Sequence, residues 1–245
     1  MKKEEHPYVN KIIIFAHIVF SRMRKIICLI LCLLTTFLTF GQGIQPRNGD
    51  LLFVGLPMDY NIKNDTSSMD AAITQATGKE GETNYIHVAI LEVDHAGKIW
   101  VIDATLKHGV DRHPIDTFLS DFALKDGSLP LLNVLRLKNN RHAADYVENA
   151  KRFCGLPYDI YFLPDNDARY CSELVRDAYI TPKGRHIFKT VPMNFKAADG
   201  TFPIYWVRLF KQINQPIPQD VPGTNPNDMS KSKRLKRIGT LSLTR

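Results

Sequence analysis

Tyr85-Ile86-His87-Val88-Ala89-Ile90-Leu91-Glu92-Val93 runs into Asp94-His95-Ala96-Gly97-Lys98 and returns as Ile99-Trp100-Val101-Ile102-Asp103-Ala104. Two β-branched, apolar runs around a polar, glycine-bearing turn predict an antiparallel hairpin. If Val93 and Ile99 face each other across the turn, the odd-numbered residues of both strands share one face. His87 and Asp103 then point to the same side as diagonal neighbours, within side-chain reach of each other. An unpaired imidazole in mid-strand would be costly, so an acid beside it has a physical purpose.

Working outward, Asn48-Gly49-Asp50 is a turn that leads into a short apolar strand, Leu51-Leu52-Phe53-Val54, with Asp50 expected to tie the turn. Leu56 to Asn84 is polar and irregular except for a short helix expected over Met69–Thr77; long excursions of this kind often serve as lids. A helix is expected over Ile115–Phe122 and a strand over Leu131–Leu137. Ala143, Tyr146, Val147, Ala150, Phe153 and Cys154 recur at helical spacing between Arg141 and Cys154, and Gly155 with Pro157 stops that helix. Cys154 is thereby expected on the apolar face, as a core residue. From Arg169 to Tyr179 the positions Cys171, Leu174, Val175 and Ala178 again have helical spacing, with Asp165, Asn166 and Asp167 as candidate caps. Cys171 then lies in the first turn of a helix with a buried face.

The chain has 245 residues, 44% hydrophobic and 23% charged, which is globular composition and excludes collagen-like or wholly disordered readings. Its formal charge of +7 sits at the ends. Residues 1–40 hold six basic side chains against Glu4 and Glu5, and residues 230–245 hold Lys231, Lys233, Arg234, Lys236, Arg237 and Arg245 with no acid. The body between them is therefore slightly acidic, which argues against a nucleic-acid-binding face. The stretch from Pro216 through Pro226 is Pro-rich, and residues 223–245 are expected to form a Pro-rich, basic tail, a candidate for peripheral contact with anionic envelope surfaces.

Ile26 to Phe40, preceded by Arg24-Lys25 and followed by Gly41-Gln42-Gly43, has the length and flanks of a signal-peptide core. Residues 1–41 are expected to be the targeting region, with Met23 as a second candidate start and the exported protein periplasmic or secreted. The run is short of the roughly 20 residues that span a bilayer. Cys28 and Cys32 fall inside it without a lipid-attachment box, leaving Cys154 and Cys171 in the exported chain. Two cysteines allow one disulfide and exclude a framework of several.

A thiol near a helix amino terminus and an imidazole becomes a competent nucleophile at neutral pH. Cys171, His87 and Asp103 supply thiol, base and orienting acid for such a set. The same residues also suit blander roles: a small core cysteine, a structural histidine and a turn-capping acid. His87, Asp103, His108, His113 and Cys171 are metal-ligand types without any close-spaced ligand pair, so no metal and no cofactor is expected.

The blocks Gly49-Asp50-Leu51-Leu52-Phe53, Ile86-His87-Val88-Ala89-Ile90, Val101-Ile102-Asp103-Ala104, Gly155-Leu156-Pro157-Tyr158-Asp159 and Tyr170-Cys171-Ser172-Glu173-Leu174-Val175 resemble, in order, those of the YiiX-like permuted papain-like hydrolases of the NlpC superfamily, relatives of lecithin:retinol acyltransferase. The resemblance spans about Gly49 to Tyr179. It implies an α+β, permuted papain-like domain over residues 42–222, with an antiparallel sheet packed against a nucleophile-bearing helix and the histidine ahead of the cysteine in sequence. It implies Cys171 as nucleophile, His87 as general base and then acid, and Asp103 as orienting residue, although Glu is more usual at the third position. Glu92 faces away from His87 on a regular strand. The implied activity is a cysteine amidase or peptidase acting on a cell-wall peptide or an N-acylated small molecule or lipid. An acyltransferase, or a noncatalytic peptide- or lipid-binding module, is the alternative.

Overall fold

The computed structural model describes residues 44–57, 60 and 65–242. The expected signal region lies outside the described residues.

Six strands form one antiparallel sheet: β1 (Asp50–Leu56), β2 (Asn84–Val93), β3 (Ile99–Thr105), β4 (Gly109–Pro114), β5 (Leu131–Leu137) and β8 (Leu235–Thr240), in the order β4-β3-β2-β1-β5-β8. β1 is central, and Leu51, Leu52, Phe53 and Val54 are all fully buried. That is why it reads as an unbroken apolar run: both faces of the sheet are covered. Leu51, Phe53, Val88, Ile90, Ile102 and Ala104 pack on one side against helices α3 (Ala143–Lys151) and α4 (Cys171–Ala178). Leu52, Val54, Ala89, Leu91 and Val101 pack on the other, against α2 (Ile115–Asp121). A third apolar cluster joins α1 (Met69–Thr77) and α5 (Ile204–Gln212) through Ala72, Phe162, Tyr170, Phe195, Trp206 and Phe210. A two-stranded ribbon, β6 (Val191–Pro192) with β7 (Pro222–Gly223), and the short helix α6 (Pro226–Ser230) complete the elements.

The hairpin has the expected register, with Val93 opposite Ile99. The β2–β3 ladder ends at Ile90 opposite Ile102, so His87 and Asp103 lie just beyond the paired region. On its other edge β2 carries a bulge: Val54 faces His87 and Gly55 faces Tyr85, leaving Ile86 as the extra residue. Bulges re-aim side chains and are common beside active sites. Asp50 does tie its turn, accepting from the Arg47 backbone N–H at 2.8 Å, and also forms a buried bidentate pair with Arg136 on β5, at 2.5 and 2.7 Å.

Three expectations are corrected. Of the expected Pro-rich, basic tail, residues 223–242 belong to the folded domain: α6 packs on β2, and β8 pairs with β5 from Asn133 opposite Thr240 to Leu137 opposite Leu235. Leu235 and Leu241 are buried while Lys233, Arg234, Lys236 and Arg237 project outward, so the charges of this segment mask a strand's apolar anchors. The helix expected over Arg141–Cys154 stops at Lys151, which leaves Cys154 exposed rather than in the core. Cys154 and Cys171 are both free thiols. Asp165, Asn166 and Asp167 do not cap α4; Asp165 takes a left-handed conformation at φ 63° and Asn166 closes a local turn onto Leu163 and Ala168, so the chain is extended again before the helix starts.

Candidate active site

α4 begins at Cys171, with Tyr170 as its extended N-cap residue and no side-chain cap bond from that residue. Glu173, at the third helical position, turns back to the backbone N–H of Tyr170, half of a capping box. The helix packs on β2 and β3 and sets Cys171 over the place where their ladder ends. Its first-turn N–H groups have no acceptor one turn back, and the backbone N–H of Cys171 is therefore the natural donor to a developing oxyanion.

His87 lies between Cys171 and Asp103. Its Nε2 is 2.7 Å from Asp103 Oδ2, and the ring also hydrogen-bonds with the Cys171 side chain. The ring is buried, held at 4.6 Å between centroids against Phe122 and at 6.1 Å against Phe118. Burial alone would push its pKa down. The charge interaction with Cys171 and the hydrogen bonds to Asp103 and Cys171 outweigh burial and raise it to about 10. The imidazole thus keeps its proton well above neutral pH, the state in which it can stabilise a thiolate and later protonate a leaving group. The shorter Asp reaches the ring despite the missing methylene, because β3 carries it alongside the bulged end of β2.

Cys171 opens on a recess lined by Tyr158, Phe162, Tyr170, Met193, Phe195 and Trp206. Phe162 is held at φ 53° where Asp159 accepts the backbone N–H groups of Tyr161 and Leu163, at 2.8 and 3.0 Å. That turn brings its ring to 5.2 Å from Tyr170 and 5.4 Å from Trp206. Asp159 is a turn residue, while Tyr158 and Tyr170 line the recess; burial raises both phenols, which stay neutral. On α1, Asp70 is also electrostatically coupled to His87, with burial raising its carboxyl and the imidazole opposing that rise. Glu92 faces the other side of the sheet and pairs with Arg112 and Lys151 at 2.5 and 2.7 Å.

His113 and the two phenylalanines of the α2 segment are the neighbours that sequence reading missed. They sit around Asp103 and His87 because of β4, whose polar run Gly109-Val110-Asp111-Arg112-His113-Pro114 carries little apolar signal. The turn over residues 106–108 directly after Ala104-Thr105 was the available clue to a third strand.

Among the described residues, no three His, Cys, Asp or Glu side chains are arranged to hold a metal ion, and no helix is long and apolar enough to cross a membrane.

An antiparallel sheet with a cysteine at the start of a packed helix, and a histidine and acid earlier in the chain, defines a permuted papain-like protein. Residues 45–239 match the family model described as permuted papain-like amidase enzyme, YaeF/YiiX, C92 family, and the chain belongs to that family of amidases. It is similar to the uncharacterized protein YiiX of Escherichia coli (strain K12), at 25% identity over 210 residues that cover 86% of this chain and 93% of the relative. Its fold is also similar to a crystal structure described as metalloprotein yiiX from Escherichia coli O157:H7, with a TM-score of 0.60 and 23% identity over 80% of this chain and 98% of the other.

Proposed function

We propose that the protein is an exported cysteine amidase in which Cys171 carries the acyl group of the substrate. One observation supports this reading above the others: the buried His87 ring is shared between the Cys171 side chain and the Asp103 carboxylate, an arrangement that pushes its pKa up despite burial. In the first half-reaction Cys171 Sγ attacks the amide carbonyl carbon, the backbone N–H of Cys171 receives the oxyanion, and the C–N bond breaks as His87 gives its proton to the leaving amine. In the second, His87 takes a proton from water as the water oxygen attacks the thioester. The carboxylic acid leaves and Cys171 is restored.

The aromatic recess beside Cys171 favours an N-acylated molecule or peptide whose acyl side is apolar. Export rests on the apolar run Ile26–Phe40. The exposed Lys233, Arg234 and Lys236 keep peripheral contact with anionic surfaces within the proposal, now from the sheet edge.

A panel of N-acyl p-nitroanilides tests the reading. Cys171→Ala and His87→Ala should abolish turnover while leaving the circular dichroism spectrum unchanged; full turnover by either variant refutes it. Hydroxylamine added to the wild type should be acylated in proportion to the thioester formed.

A further inference from the structure

His113 on β4 is buried, at 6% exposure, yet neither ring nitrogen has a hydrogen-bond partner among the described residues. Asp103 bonds His87 through Oδ2, while its other oxygen, Oδ1, is buried and unpartnered. These orphans face each other: His113 Nε2 is 3.7 Å from Asp103 Oδ1. The reason is register. Asp103 stands opposite Asp111 on the β3–β4 ladder, which makes His113 its diagonal neighbour on the same face. The other ring nitrogen, Nδ1, is 3.5 Å from Asp111 Oδ2. The ring also meets two other rings, Phe118, stacked at 6.4 Å, and His108 at 5.8 Å, itself bonded to Asp121. Leaving a buried donor and a buried acceptor unpaired is unfavourable, and a small side-chain rotation would join them.

We propose that His113 is a positioning residue for the catalytic set: its Nε2–H donates to Asp103 Oδ1, gripping the carboxylate at both oxygens and holding Oδ2 on His87. The inference rests on the proposed Cys171–His87–Asp103 set. It makes His87's hold on its proton depend on a residue two strands away that touches neither substrate nor thiol.

The test measures the rate of Cys171 alkylation by iodoacetamide from pH 5 to 9, read by peptide mass spectrometry, alongside the NMR titration of His87. The variants are His113→Leu, His113→Gln and, as reference, Asp103→Asn. His113→Leu should slow alkylation below pH 8 by about tenfold, the worth of one hydrogen bond to a charged group, and move the His87 midpoint down. His113→Gln, which keeps an N–H near the position of Nε2, should recover to within about threefold of wild type. The proposal is overturned if His113→Leu superimposes on wild type, or if a folded His113→Gln is as impaired as His113→Leu. If Asp103→Asn shifts both readouts and His113→Leu neither, only the role of His113 is lost. If Asp103→Asn also changes nothing, the catalytic set is wrong and His113 falls with it. Should His113→Leu fail to fold, the 15N shifts of wild-type His113 decide: a protonated Nε2 is expected, and an unprotonated one overturns the proposal.

Discussion

Glu173 follows the candidate nucleophile by two positions and carries an energetic cost that one substitution should remove. Its side chain is 6% exposed, one carboxyl oxygen reaches the Tyr170 N–H, and the other, Oε2, is buried without a partner. Burial raises its pKa from 4.5 to about 8; Arg169 opposes the rise, and Asp177 and Asp159 add to it. In the unfolded chain the group loses its proton above about 4.5, whereas in the folded protein it keeps it to about 8. The unfolded state therefore binds fewer protons across that window, so stability falls as pH rises through it and levels off above. Each pH unit costs about 1.4 kcal/mol, which gives roughly 3 kcal/mol at pH 7. Glu173→Gln keeps the acceptor for Tyr170 N–H and has no proton to lose. Urea unfolding at pH 5, 6, 7 and 8 should show little difference between variant and wild type at pH 5, and a gain for the variant that grows to on the order of 3 kcal/mol by pH 7. The His87 contribution remains in both proteins: it is fully present below about pH 6.5 and is lost as pH rises through about 10. A variant advantage that does not change with pH, or a variant less stable than wild type at pH 8, would refute the reasoning.

Three further outcomes are expected. Asp103→Asn should slow Cys171 alkylation at pH 6.5 by on the order of 10- to 100-fold, the worth of a charge-assisted hydrogen bond, with an unchanged far-ultraviolet spectrum. Asp50→Asn leaves Arg136 buried with a neutral partner and should cost about 3 kcal/mol in urea unfolding, because breaking one side of a buried bidentate pair strands the other charge. Truncation after Ser230 removes β8 and exposes the edge of β5; the soluble, folded yield should collapse, whereas removal of a free tail would leave it intact.

What could be read from sequence followed local apolar signal. β2, β3, the turn between them, β5 and α1 were legible because alternation, turn residues and helical spacing fall within single short segments. The same hairpin register places His87 and Asp103 on one face from sequence alone. β4 and β8 were not legible, since Asp111, Arg112 and His113 on one and Lys236 and Arg237 on the other swamp the few apolar anchors that tertiary pairing uses. The end of α3 was overextended because Phe153 continues the apolar spacing beyond Lys151 while the backbone already turns toward Gly155. The His113–Asp103 approach belongs to the β3–β4 hairpin, which pairs directly from its turn with Thr105 opposite Gly109, and it stayed hidden because β4 itself carries too little apolar signal to be read as a strand.

The central claim is that His87 and Cys171 share a proton, and an iodoacetamide pulse at pH 6 under reducing conditions tests it most directly. Cys154 supplies the internal reference, because partial desolvation and the Asp111 carboxylate push its thiol up, out of the reactive range at that pH. The account predicts that Cys171 is alkylated ahead of Cys154 in the wild type and loses that advantage in a folded His87→Ala variant. Equal labelling of Cys171 with and without His87, or an inert Cys171 in the folded protein, would contradict it.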